Sequence, residues 1–301
     1  MGAALIGFLA WRGDIRSISD ALARVRPSYV ALAMMLMLCV LVVSTFRWQI
    51  FLQELDLALP VGTLLRLYFV GTFFNAFLPT GVGGDAYKAI RLGRGSRSLA
   101  HAFASVILDR FAGILGLASI GLVAVGARFA DVDRSAVVGL AGAVAVAIFV
   151  VTVLLIMRGD RLLGRGSSTW FGVRPKLRRL LAAMADVGRK PRAVRWALLG
   201  GVVAQIFVLA AHVSLAEALA INVPIAALAA LLVVATVAAT APVTINGLGI
   251  REAAWVWGLG VYGVDSAHAV AYAILVLGVA LATSALGGLV YVVAGAEVSK
   301  S

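Results

Sequence analysis

Cysteine is almost missing from this chain: Cys39 is its only one, so no intrachain disulfide exists and a framework of bridged loops is excluded. Charge is scarce as well. Only 13% of the 301 residues are Asp, Glu, Lys or Arg, and acids are the rarer sign, 14 against 26 basic residues. No run of His, Cys, Asp and Glu has metal-ligand spacing, no nucleophile has a base nearby, and no Gly-rich loop follows a strand as a phosphate loop requires. The sequence therefore calls for no cofactor and gives no sign of an enzyme. A secretory signal is missing too, because residues 1–11 lack a basic leader and a small-residue cleavage site. Too short to span, they read as an interfacial helix or as the tail of a helix that begins earlier.

What the chain has in abundance is apolar surface. Hydrophobic residues make up 62% of it and the mean hydropathy is +1.02, values outside the range of water-soluble domains. Several apolar runs approach or exceed the ~20 residues a helix needs to cross ~30 Å of hydrocarbon, and the alternation of barrel strands is not seen. The expected fold class is all-α, a polytopic helical bundle forming a single transmembrane domain over residues 1–301. The net charge of +12 sits in a few segments between apolar runs. That pattern follows the positive-inside rule and lipid headgroup attraction, with no nucleic acid implied. Cys39 lies inside such a run and packs as a small hydrophobe.

The chain reads as a first half over 28–157, a basic linker over 158–195 and a second half over 196–294. Runs 29–52, 61–78, 99–127, 136–157, 196–219, 225–241 and 267–294 are expected to lie in the membrane. The basic segments at 12–26, 88–101 and 158–195 are all expected on the cytoplasmic side of the cell membrane, and the acidic loop of Glu54 and Asp56 outside. On that scheme 29–52 and 196–219 both run outward, and 61–78 returns inward. Residues 176–187 alternate basic and apolar positions as an amphipathic helix on anionic lipid does, or as a solvated linker. Arg47-Trp48 reads as an interfacial anchor, the alternative being an arginine on a substrate path. Asp109-Arg110 falls well inside a membrane helix if that helix is continuous from residue 99, or at the interface if it starts later. Gln205 and His212 share a helix face, and His212 reads as a packing residue or a proton relay.

Two interruptions organise the rest. The first runs through Asn75, Pro79, Thr80, Gly81, Gly83, Gly84, Asp85, Lys88 and Arg91, and the second through Pro242, Thr244, Asn246, Gly247, Gly249, Arg251 and Glu252. In each, proline stops a helix, glycines free the backbone, and charge opens the next helix. At bilayer depth such backbone is tolerated only inside protein or beside a water-filled cavity. Paired breaks in two halves point to a midplane site of a transporter built from repeats, with helix N-termini turned toward an anion. Residues 253–264 are too short to span and read as half of a re-entrant hairpin. The convergence of the breaks leads to a further expectation, that Asp85 pairs with Arg251.

Asn75, Pro79, Gly83-Gly84-Asp85, Asp109-Arg110, Pro242 and Asn246 through Glu252 together resemble the membrane domain of the lysylphosphatidylglycerol synthase family, also known as flippase-like or uncharacterised 0104 proteins. The resemblance covers nearly the whole chain from about Arg47. It implies a bundle of pseudo-repeated halves with two re-entrant or broken hairpins that moves an anionic or polyprenyl-linked lipid between leaflets. The partners it implies are membrane lipids and an enzyme that supplies the lipid. The alternative is a membrane subunit of a pathway that modifies lipids or lipid-linked sugars. The soluble aminoacyl-transfer domain of the synthases does not follow the last apolar run before Ser301, so aminoacylation by this chain alone is not expected. The substrate groove implied is lined by Asn75, Pro79, Gly83, Gly84, Asp85, Lys88, Arg91, Asp109, Arg110, Pro242, Asn246, Gly247, Gly249, Arg251 and Glu252.

Overall fold

A computed structural model describes residues 15–78, 81–94, 98–126, 173–240 and 247–298, with a few single positions between 126 and 173. Ten helices fill the described residues: α1 (Ile15–Ala23), α2 (Pro27–Glu54), α3 (Val61–Phe77), α4 (Gly83–Arg94), α5 (Leu99–Gly126), α6 (Val173–Gly188), α7 (Pro191–Ala218), α8 (Ile225–Ala238), α9 (Ile250–Val261) and α10 (Ser266–Val298). Four of them, α2, α5, α7 and α10, contain stretches long and apolar enough to cross a membrane. The chain is a multi-pass helical membrane protein. Pro79, Thr80, Pro242, Thr244 and Asn246 lie outside the described residues, as do most of the 136–157 run and the 158–172 part of the basic linker.

Five helices and then five more follow one plan. α2 and α7 each have 28 residues and begin on a proline, where the missing N–H costs nothing. Both end the same way. Leu57 N–H donates to the Leu52 carbonyl at 2.8 Å and Ile221 N–H to the Ala216 carbonyl at 2.9 Å. Asp56 and Ala220 in these turns take φ of 56° and 52°. Pro60 and Pro224 then cap α3 and α8. Pairing Pro27 with Pro191 and Pro60 with Pro224 uses one constant spacing, and a spacing three residues longer pairs Gly83 with Ile250 and Leu99 with Ser266. The extra residues lie in the second break.

The halves are inverted with respect to each other. Arg26 N–H donates to the Ala218 carbonyl at 3.0 Å, and the Lys190 ammonium donates to a Glu54 carboxylate oxygen at 2.8 Å, so α2 and α7 run antiparallel along their whole length. The bond to Glu54 holds the exposed Lys190 ammonium above the ordinary lysine pKa. Two large apolar clusters, with a small third one of Ile18, Ala267 and Val270, form the core. One, at the Glu54 end, joins Leu52, Leu57, Leu64, Ala89, Leu92, Ala102, Met184 and Val187. The other, toward the Arg26 end, joins Ala21, Ala33, Leu219, Val223, Leu228, Leu259, Tyr262 and Ala269.

The helix starts of α3 and α5 and the close of α4 all share the Glu54 end, so α3 and α4 form a re-entrant hairpin. At 17 and 12 residues they are about 25 and 18 Å long, short of the ~30 Å span. α8 and α9 form the second hairpin, entering from the opposite end. The expected inward crossing at 61–78 is thereby corrected to a hairpin arm, whereas the short helix over Ile250–Val261 fits the reading of 253–264 as half of a re-entrant hairpin. The sidedness scheme is corrected as well: α2 and α7 point in opposite directions, segment 15–26 lies at the end opposite 173–190, and the Glu54–Asp56 loop shares its end with the basic residues of α6. The local charge count could not reveal this, because it assumed that every apolar run reverses the face.

Candidate functional site

The first break is built by a backbone crossing. Leu78 leaves α3 in extended conformation, Gly81 takes φ of 60°, and α4 opens on Gly83-Gly84. At Gly84 the chain passes so close to Gly71 of α3 that a Cβ would lie 1.7 Å from the Gly71 carbonyl oxygen. Only hydrogen fits there. The Gly84 N–H donates to the Asn75 side-chain oxygen at 2.8 Å, closing one otherwise unsatisfied amide of the first turn of α4.

This crossing delivers charge to the bundle interior. Asp85 is buried and accepts from three side chains: Lys88 at 3.1 Å, Asn75 at 3.4 Å, and the Arg110 guanidinium. Arg110 also donates to the Gly81 carbonyl at 3.1 Å, tying α5 to the break itself. One residue earlier on α5, Asp109 is 2% exposed and accepts from Arg47 of α2 at 2.7 Å and from the Tyr68 hydroxyl at 2.9 Å. The Lys88 ammonium links the two groups, lying 4.3 Å from the Tyr68 ring centre and 5.3 Å from that of Trp48. Trp48 is held in turn by its indole N–H to Ser105 at 3.1 Å.

Depth follows from helix rise: Asp109 lies ten residues past Leu99, about 15 Å along α5. The cluster holds three cations and two carboxylates, a net of one positive charge. Four of the five groups are buried, but the Arg110 side chain is 47% exposed. Lys88 and Arg110 share the single carboxylate of Asp85, so the cluster carries one positive charge in excess, with Arg110 at its exposed edge.

The second break is different. Gly247 and Gly249 take φ of 72° and 90°, and α9 starts at Ile250. Glu252 reaches back to accept the Gly249 N–H at 2.6 Å and accepts from Arg251 through Nε at 3.1 Å and Nη2 at 3.0 Å. Arg251 is thus paired within its own half, as Asp85 is in the other. Among the described residues no ion pair joins the breaks, and the expected Asp85–Arg251 pair is corrected. The reason is geometric, because each hairpin buries its acid against the cation nearest along its own backbone.

Of the groove residues named from sequence, Asn75, Gly84, Asp85, Lys88, Asp109 and Arg110 come together. Gly83 lies beside them, packed on Leu78, while Arg91 is exposed on α4 outside the cluster. Gly247, Gly249, Arg251 and Glu252 form the separate second centre. Pro79, Pro242 and Asn246 lie outside the described residues. Sequence reasoning left out Tyr68 and Ser105 and read Arg47-Trp48 as an interfacial anchor; both are buried. The signal was Arg47 itself, a lone cation in a 28-residue apolar helix that needed an acid at similar depth. α5 runs unbroken from Leu99, which places Asp109 inside. His212 has a packing environment, stacked on Trp255 with centroids 4.6 Å apart and bonded to the Tyr272 hydroxyl at 2.8 Å.

Comparison with known proteins places the chain among membrane proteins. The family model described as the lysylphosphatidylglycerol synthase TM region matches residues 1–288. A UPF0104 membrane protein of Methanothermobacter thermautotrophicus is 30% identical over 161 residues, 51% of this chain and 46% of that protein. A UPF0104 membrane protein of Pyrococcus horikoshii is 25% identical over 118 residues, 38% of this chain and 35% of the relative. The matched stretch thus spans less than half the length of these relatives. With the family match running across nearly the entire sequence, the chain belongs to the lysylphosphatidylglycerol synthase transmembrane-region family.

Proposed function

We propose that this protein is a flippase-like lipid translocator, moving an anionic phospholipid or polyprenyl-linked lipid between leaflets while the lipid's chains stay in the bilayer. The observation that carries this reading is the buried charge cluster at the first break, with a net positive charge and the half-exposed Arg110. Asp85 already occupies Lys88 and Arg110 as an internal anion. A lipid phosphate takes its place, since a guanidinium holds phosphate in the same forked geometry as carboxylate. Inverted halves with broken helices support alternating exposure of such a site to the two faces. The Glu54 end, where the basic residues of 173–195 gather, is assigned to the cytoplasm on the positive-inside rule. The family's description as part of a synthase supports a second reading, a membrane subunit of a lipid-modifying pathway.

The two readings separate in proteoliposomes containing this protein alone and fluorescent phosphatidylglycerol or a fluorescent polyprenyl phosphate, with an impermeant quencher added outside. A translocator raises the rate at which inner-leaflet probe becomes quenchable, and the recovered lipid is chemically unchanged. A rate equal to that of protein-free vesicles for both lipids overturns the proposal.

A further inference from the structure

The repeat register brings a second site into view. The positions that correspond to the first-half residues Arg47, Tyr68, Lys88 and Asp109 are Ala211, Leu232, Trp255 and Val276 in the second half, by the spacings that pair α2 with α7, α3 with α8, α4 with α9 and α5 with α10. All four line one cavity of about 160 Å³. Where the first half places a buried ion pair, a tyrosine and an ammonium, the second half places alkyl groups, an indole and empty volume. The scaffolding around the two is shared. Trp48 bonds Ser105 in the first half, and at the matching positions His212 bonds Tyr272. Lys88 lies against Trp48, and at the matching positions Trp255 stacks on His212.

We infer that this cavity holds the hydrocarbon chain of a membrane lipid, making it an apolar counterpart to the polar site across the pseudo-two-fold. Its lining, mostly apolar, suits an alkyl chain better than a headgroup. The Arg251 guanidinium that lines it is paired with Glu252 at 3.0 Å, and Nδ1 of His212 is bonded to the Tyr272 hydroxyl at 2.8 Å. Apart from the hydroxyl of Thr236, the remaining walls, Met37, Val208, Leu215 and Val279 among them, are apolar. Water needs two to four polar partners, and an apolar cavity of about 150 Å³ stays dry and accepts a small hydrocarbon. Depth agrees: Val276 lies ten residues past Ser266, about 15 Å along α10, within the acyl region. Position, volume and matched charge therefore all favour an alkyl chain. The inference does not depend on the translocation reading.

The test is photo-crosslinking in proteoliposomes carrying phosphatidylcholine with a diazirine either at the end of one acyl chain or on the headgroup, with adducts mapped by mass spectrometry. The chain-end probe is expected to mark the peptides holding Leu232 and Val276. Filling the cavity with Ala280→Phe should lower that labelling about tenfold, and enlarging it with Leu232→Ala should raise labelling at Val276. Adducts on Leu289, Val292 and Val293, exposed on α10, serve as the control for folding and insertion and should not change. If Ala280→Phe loses the control adducts, the Leu232→Ala result decides alone. The inference is overturned if the headgroup probe marks these peptides better than the chain-end probe. It is equally overturned if chain-end labelling is confined to the control residues, or ignores both substitutions.

Discussion

Asp109→Asn is expected to destabilise the protein by about 3 to 5 kcal/mol, because it leaves the Arg47 guanidinium buried without its counter-charge. Arg47→Gln should cost a similar amount by stranding Asp109, although the Tyr68 hydroxyl still satisfies one of its oxygens. The double replacement should be milder than the sum of the two, since no lone charge remains. The second half indicates which pair the fold itself accepts: Ala211 and Val276 stand at the matching positions and are buried without charge. Arg47→Ala with Asp109→Val should therefore insert and fold yet lose lipid movement. Thermal unfolding in mild detergent reads the stability, and the quenching assay reads the movement. Additive single effects would remove the pair from the account.

Gly84→Val is expected to abolish lipid movement while leaving membrane insertion intact. The new Cβ would sit 1.7 Å from the Gly71 carbonyl oxygen, 2.5 Å from its carbon and 2.9 Å from Asn75 Cγ. Two of these three contacts are backbone, so no side-chain rotation relieves them. The hairpin arms must part, and the Asn75 bond to the Gly84 amide and the placement of Asp85 go with them. Gly71→Ala meets its nearest neighbours at 3.0 to 3.2 Å, two of them in the flexible Lys88 side chain, and should be the weaker lesion. A Gly84→Val protein that moves lipid at the wild-type rate would show that the close crossing is not needed.

Much of this architecture was legible in the sequence because the breaks change composition abruptly. Proline, clustered glycine and charge appear together at 79–91 and 242–252 in a chain that is otherwise apolar, and helix termination at such points is local chemistry. Beyond the second break, the shortness of 253–264 pointed to a re-entrant hairpin, but the direction of the chain at the first was not legible from run length. An apolar run of 61–78 is close to span length, and whether it crosses or turns back is decided by Gly71 meeting Gly84, a contact made only after both helices exist. The partners of charge were hidden for the same reason. Asp85 had Lys88 one turn away, but Arg110 and Arg47 arrive from other helices, and proximity along the sequence says nothing about them. The repeat was legible at its paired breaks, but its extent was masked by divergence: Arg47 matches Ala211 and Lys88 matches Trp255, so residue type shows no likeness at the charged positions.

The hairpin that carries the polar site is the centre of the account, and single-cysteine accessibility in a Cys39→Ala background tests it most directly. Ala58→Cys precedes the hairpin, Ser98→Cys follows it, and Ser266→Cys marks the opposite end, where the second hairpin closes. An impermeant maleimide applied first to intact cells and then to inverted vesicles should label positions 58 and 98 from one face and position 266 from the other. Labelling of 58 and 98 from opposite faces would mean that the chain between them crosses the membrane, and would contradict the re-entrant hairpin.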